Sequence, residues 1–115
     1  MNFDTVNLSQ LDGASSAALN AAAFGIVKMS HDGKVTDYND WQSKFTGISK
    51  ENTIGKHFFS QVAPCTNNFL VSQKYDSNPS LDEKLDYTFT LKMAPTPVKL
   101  RLLKGPNTQY LLCNR

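Results

Sequence analysis

The sequence predicts an α+β domain built on one antiparallel sheet of five strands. Three observations predict it. Short strand candidates stand at both ends of the chain, two near the start and three near the end. Short helical pieces fill the stretch between them. A period-two alternation from Leu85 to Met93 marks one strand with a single buried face. At 115 residues the chain makes one domain, large enough to bury most of its apolar surface without disulfides. Residues 1–23 read as an N-terminal cap and residues 24–115 as the core. The helices cover one face of the sheet and the cap covers the other.

In the cap, Leu8, Leu11, Ala14, Ala17, Ala18 and Leu19 recur at helical spacing, and Gly13 breaks the run. Asn7 and Ser15 are candidate N-caps. Helices of one or two turns are marginal alone and need docking on something larger. Phe24 to Met29 is a strand candidate. Asp32-Gly33 is a turn signal, and Val35 to Tyr38 returns as the second arm of a hairpin. Asn39-Asp40 caps a helix to Phe45, which Thr46-Gly47 ends. Ser49 to Asn52 starts a further short helical piece, closed by Gly55. Asn67 to Tyr75 reads as a longer helix, ended by Asp76-Ser77-Asn78-Pro79. In the last third, Leu85, Tyr87, Phe89, Leu91 and Met93 alternate with polar residues. Val98, Leu100 and Leu102 alternate with Lys99 and Arg101, and Gln109 to Asn114 is the last strand.

Composition excludes several function classes. Net charge is +2, with five Lys against six Asp+Glu up to His57 and seven Lys+Arg against four from Phe58. No basic run makes a nucleic-acid patch. No apolar run approaches the length of a membrane span. Two cysteines, Cys65 and Cys113, make neither a disulfide framework nor a metal site. The first residues show no basic segment followed by an apolar core, so the expected compartment is the cytoplasm, where thiols stay reduced.

Chemistry gathers at Gly55-Lys-His-Phe-Phe-Ser-Gln-Val-Ala-Pro-Cys-Thr66. Pro64 fixes its own φ and biases Ala63 away from the helical region, so the backbone entering Cys65 is stiff. Phe58, Phe59 and Val62 supply an apolar wall beside the thiol. Two readings stand at this point: a small buried hydrophobe, the commonest fate of a free cysteine, or an attachment point.

This stretch resembles the photoactive yellow protein family, PAS-fold blue-light receptors. Two other stretches carry the same resemblance: Asp32-Gly-Lys-Val-Thr-Asp-Tyr-Asn39 with Thr46-Gly47, and Asp86-Tyr-Thr-Phe-Thr-Leu-Lys-Met-Ala-Pro-Thr-Pro-Val98. The resemblance covers roughly residues 24–115, and more loosely the cap. It implies a PAS-like sheet and p-coumaric acid (4-hydroxycinnamic acid) held as a thioester on Cys65. It implies that Tyr38 donates a hydrogen bond to the chromophore's phenolate and that Thr46 supports Tyr38. Phe58, Val62, Ala63, Pro64, Thr66, Phe89 and Met93 fall at positions that line or flank the pocket in relatives. Met93 matches a methionine that assists return to the trans form. A phenol titrates near 10, so ionisation at neutral pH asks for about 4 kcal/mol of preference for the charged form. Two or three charge-assisted hydrogen bonds, at about 1.5–3 kcal/mol each, are enough.

Three positions depart from the family pattern. Gln42 stands where the best-known members carry glutamic acid. An amide donates a hydrogen bond but has no proton to transfer. The expectation is a less tightly held phenolate, absorption at longer wavelength, and protonation from solvent after isomerisation. Ile48 stands where relatives often place an arginine lid, and Leu91 where they often have tyrosine. Cys113 is expected to be structural and His57 to lie at the surface.

The expected function is therefore a blue-light photoreceptor, not an enzyme. Its partners are the chromophore and an unidentified downstream signalling protein, without nucleic acid or membrane, as a monomer or weak dimer. The alternative is a PAS-type small-molecule or thiol redox sensor without the chromophore. A thiol enzyme with Cys65 as nucleophile needs a positioned base, and His57 lies eight positions away with Pro64 between.

Overall fold

The structure, a computed structural model, describes residues 1–90 and 95–115; Leu91 and Met93 lie outside the described residues. Two short helices open the chain, α1 (Leu8–Gly13) and α2 (Ser16–Asn20). Asn7 forms a reciprocal capping box with Gln10, and the Ser15 hydroxyl accepts from the Ala18 amide. The first hairpin is β1 (Gly25–Met29) and β2 (Val35–Tyr38). Helix α3 (Asp40–Thr46) follows, capped by the Asn39 side chain and ended by Gly47 in the left-handed region at φ 77°. A 3-10 turn (Lys50–Asn52), a π-helical turn (Phe58–Val62) and a second 3-10 turn (Pro64–Thr66) lead to α4 (Ser72–Ser77). The chain closes with β3 (Leu81–Phe89), β4 (Thr96–Lys104) and β5 (Gln109–Asn114).

The five strands form one antiparallel sheet in the order β2-β1-β5-β4-β3. The first hairpin thus joins the last strand, through Gly25↔Cys113 to Met29↔Gln109. Strand alternation then sends apolar side chains to two separate cores. Val27, Met29, Leu100, Leu102, Leu111 and Cys113 pack under the helices and turns. Ile26, Leu103, Tyr110 and Leu112 pack against Phe3, Val6, Leu11 and Leu19 on the opposite face. Among the described residues, no helix is long and apolar enough to cross a membrane.

Three elements differ from the sequence expectation. The helix expected over Asn67–Tyr75 forms only from Ser72. Asn68 accepts through its side chain from the Leu70 and Val71 amides, a local alternative that holds the preceding residues in turns. Strand β3 starts at Leu81, four residues earlier than the apolar alternation suggested, because the charged run Asp82-Glu-Lys84 pairs with the far end of β4. The π-helical turn at Phe58–Val62 has no counterpart in the expectation. His57 is half-buried rather than a plain surface residue: its ring accepts from the Ser60 amide at the start of that turn.

Arg101 occupies a polar position in the alternation of β4, yet it is 4% exposed. Its guanidinium makes two bonds to Asp82, at 2.9 and 3.0 Å, and donates to the carbonyls of Phe3 and Val6 at 3.1 and 2.5 Å. Residues 1–6 are thereby clipped to the sheet. Arg101→Ala is expected to destabilise the protein by about 2 kcal/mol, because two backbone carbonyls lose their donor, and urea unfolding checks this. Lysine should not restore the loss, since it lacks the planar fork. The Asp82 carboxyl titrates below its ordinary 3.8, chiefly through its bonds to Arg101. The stability tied to this depressed carboxyl is present above 3.8 and is lost as pH falls through the folded-state value.

Candidate functional site

Tyr38 ends β2, so its ring points into the helix-side core, where it is 1% exposed. Gln42 and Thr46 follow it at four-residue steps along α3, on one face of the helix. The three side chains meet. The Tyr38 hydroxyl lies 2.7 Å from Thr46 Oγ1, and Thr46 Oγ1 donates to the Gln42 backbone carbonyl at 2.9 Å. Thr46 has one proton, so while it is given to that carbonyl, Tyr38 is the donor to Thr46. Burial pushes the Tyr38 phenol up to about 12, against the opposing hydrogen bonds of Thr46 and the Gln42 amide. Tyr38 therefore keeps its proton at neutral pH.

Gln42 is 1% exposed and its Oε1 has no partner among the described residues. The amide fits because residue 25 is glycine: a Cβ there would lie 2.0 Å from Gln42 Oε1 and 3.0 Å from Trp41 Cε3. Burying a polar group without a partner costs about 1–3 kcal/mol. Trp41 lies outside this pair, stacked on Phe45 at 5.2 Å.

Cys65 sits in the 3-10 turn Pro64–Thr66, half-buried and packed against the same core. Its carbonyl is held twice. The Tyr87 hydroxyl donates to it at 2.5 Å and Asn68 Nδ2 at 3.1 Å, while Asn68 also donates to Tyr87 at 2.6 Å. Phe58, Val62, Ala63 and Phe89 are buried in this core, and Phe89 packs on Phe45 at 6.0 Å and on Tyr87 at 6.1 Å. The π-helical turn brings Phe58 and Val62 to the same side, closed by the Ala63 amide donating to the Phe58 carbonyl at 2.7 Å.

Two of the residues expected to line or flank the pocket belong to the Cys65 turn itself. Pro64 is exposed and sets the backbone of the turn. Thr66 is fully buried, but its hydroxyl is spent on the Ala63 carbonyl at 2.6 Å. Met93 lies outside the described residues. Ile48 is half-buried and packs against the core. Cys113 is fully buried in β5, and burial pushes its thiol up to about 12.

Sequence reading missed Asn68, Tyr87, Phe45 and Asn39. Tyr87 shares the inward phase of its strand with Phe89, which was the available signal. Asn39 is fully buried and joins three elements. It accepts from the Ile26 and Gln42 amides at 2.9 and 3.1 Å, and donates to the Leu19 and Phe24 carbonyls, both at 2.9 Å. Its place before a helix suggested only the cap.

No family model matches the chain. Individual relatives do. The photoactive yellow protein of Halochromatium salexigens is 34% identical over 100 residues, covering 84% of this chain and 80% of the relative. That of Rhodothalassium salexigens is 32% identical over 92 residues, covering 77% and 74%. Among solved structures, the photoactive yellow protein domain from the sensor histidine kinase Ppr of Rhodospirillum centenum superposes with a TM-score of 0.85 at 28% identity, covering 93% of this chain and 98% of that one. A domain of a sensory box sensor histidine kinase/response regulator from Geobacter sulfurreducens shares the fold at a TM-score of 0.71 and 14% identity, covering 95% and 97%.

Proposed function

The chain belongs to the photoactive yellow protein family, and from that membership we propose that it is a blue-light receptor carrying p-coumaric acid as a thioester on Cys65. One observation carries the reading: buried Tyr38 and Gln42, with half-buried Thr46 on the Tyr38 hydroxyl, stand beside the same aromatic core as a half-buried thiol whose residue's carbonyl is fixed by two donors. The residues present fit the group. Cys65 supplies the sulfur. Phe58, Val62, Ala63 and Phe89 supply apolar walls. The Tyr38 phenol and the Gln42 amide supply neutral donors, and the unpartnered Gln42 Oε1 fixes no competing contact for that amide. Bound there, p-coumaric acid supplies blue-light absorption and a trans-to-cis isomerisation.

The protein's own groups do the rest. A charged acceptor held beside Tyr38 would outcompete the Thr46 oxygen, so Tyr38 would turn its proton to that acceptor and Thr46 its own to Tyr38. The Gln42 side chain would donate through nitrogen and has no proton to transfer, so it would not serve as the acid there and solvent would. With no charged acceptor, Tyr38 and Thr46 hold the arrangement described above. Asn39, next to Tyr38, carries the change outward: its Oδ1 accepts from the Gln42 backbone N–H in the first turn of α3, and its Nδ2 donates to the Leu19 carbonyl of the cap. Movement of the first turn of α3 then shifts the population of cap-docked protein. We read the molecule as a cytoplasmic sensor rather than an enzyme, passing its signal to a separate protein.

Gln42→Glu tests the site directly. A glutamic acid adds a stronger donor at the same place, so the absorption maximum of the loaded protein should move to the blue. An unchanged or red-shifted maximum would falsify the assignment of Gln42 to the phenolic end.

A further inference from the structure

We propose that Gly25 is a positioning residue for the phenolic end of the chromophore site, an inference that rests on the photoreceptor reading. Its bare Cα takes up the oxygen of the Gln42 amide. The nitrogen alone is then left facing the ligand, and the site becomes selective for an ionised phenol.

Gly25 opens β1 opposite Cys113 and shares the helix-side row with Val27 and Met29. The glycines with positive φ are Gly33, Gly47 and Gly55, so the backbone at position 25 suits an alanine. What excludes a side chain there is space. A Cβ on Gly25 would lie 2.0 Å from Gln42 Oε1, 3.0 Å from Trp41 Cε3 and 3.1 Å from Gln42 Cδ. These three nearest atoms all belong to side chains. The glycine therefore makes room for the amide rather than for the backbone of α3.

The two ends of that amide meet different neighbours. Oε1 rests against the hydrogen that Gly25 presents in place of a Cβ, a weak C–H contact, and has no hydrogen-bond partner among the described residues. The other end bonds the Tyr38 hydroxyl. Tyr38 gives its own proton to Thr46, so its oxygen accepts, and the amide offers nitrogen there. The backbone of Gln42 is held on both sides: its N–H donates to Asn39 Oδ1 and its carbonyl accepts from Thr46. A methyl at position 25 is then relieved with least disruption by turning the Gln42 side chain, which takes the nitrogen off the phenolic end. Two donors facing the ligand, with the acceptor oxygen held away, favour a phenolate over a neutral phenol, which has a proton to give.

The test uses the full chain as Gly25→Ala, Gln42→Ala and the double variant, with and without activated p-coumarate. In the unloaded protein, Gly25→Ala should displace the side-chain amide signals of Gln42 in proton–nitrogen NMR and leave backbone signals away from β1 and α3 in place. In the loaded protein it should raise the half-titration point of the bound phenol by about 1 pH unit or more, the loss of one charge-assisted bond. The ionised band should move to the red. Neither loaded-state shift should appear when Gly25→Ala is added to Gln42→Ala, since the oxygen that the methyl meets is gone. Equal shifts in both backgrounds, or an unmoved amide and titration in Gly25→Ala, would overturn the proposal. If Gly25→Ala folds too poorly to load, urea unfolding decides: adding Gln42→Ala should recover part of the lost stability, and no recovery would overturn the proposal. Protein that takes up no chromophore in any variant contradicts the photoreceptor reading instead, while the unloaded amide signals still decide what Gly25 does to Gln42.

Discussion

Removing residues 1–23 is expected to slow dark recovery by about tenfold or more, with little change in the colour of the resting pigment. The cap packs on one face of the sheet, with Phe3, Val6, Leu11 and Leu19 against Ile26, Leu103, Tyr110 and Leu112. Its attachments are discrete. Arg101 holds the carbonyls of Phe3 and Val6, Asp12 accepts from Tyr110 and Thr108, Ser16 donates to Asp37, and Asn39 donates to the Leu19 carbonyl. Helices of five and six residues have little stability of their own, so the cap is ordered by docking. Docking favours the arrangement of Asn39 and α3 that belongs to the resting state. Without the cap that preference is gone, and a slowing of tenfold corresponds to about 1.4 kcal/mol added to the return barrier. The colour survives because Tyr38, Gln42 and Thr46 lie on the other face. Flash-induced bleaching followed by absorbance gives the rate, and unchanged recovery would count against the coupling through Asn39.

Cys65→Ser should abolish chromophore attachment completely, while unfolding in urea shifts by no more than about 1 kcal/mol. The side chain is half-buried in a short turn, and the turn's own bonds involve Ala63, Asn67, Asn68 and Tyr87 rather than the sulfur. Cys113 does not substitute for it. Its thiol is fully buried and pushed up to about 12, so at neutral pH it stays protonated and does not supply the thiolate that attacks an acyl donor. Mass spectrometry of the intact protein after treatment with activated p-coumarate reads the outcome. An adduct of undiminished yield in the serine variant would move the anchor elsewhere.

Local signals made much of the fold legible. Asn7, Ser15 and Asn39 read as caps because a short polar side chain before a helical run has one obvious use, and each caps a helix. The alternations through Val98 and Leu102, and the strand at Gln109–Asn114, read directly as well. The helix at Asn67 did not, because Asn68 bonds its own neighbours in preference to continuing a helix. The charged start of β3 hid its pairing, since Asp82 and Lys84 carry no apolar phase; Asp82 is ordered by Arg101 from the adjacent strand.

The site divides in the same way. Cys65, Tyr38 and Thr46 were reached through motif resemblance, and Gln42 through its departure from that motif. Asn68, Tyr87 and Asn39 bond across 3 to 22 positions of sequence, to carbonyls that no side-chain pattern encodes. The fit of Gln42 against Gly25 is likewise a contact between elements, invisible until β1 and α3 are packed.

The central claim is that Cys65 anchors a photoisomerising p-coumaroyl group whose phenolate is held by Tyr38 and Gln42. The most direct measurement mixes the purified chain with activated p-coumarate and records intact mass and visible absorption, in the dark and under blue light. The predicted result is a gain of one coumaroyl mass lost in Cys65→Ser, a yellow pigment, and bleaching that reverses in the dark. A chain that stays colourless, or that gains the mass and shows no reversible bleaching, would contradict it.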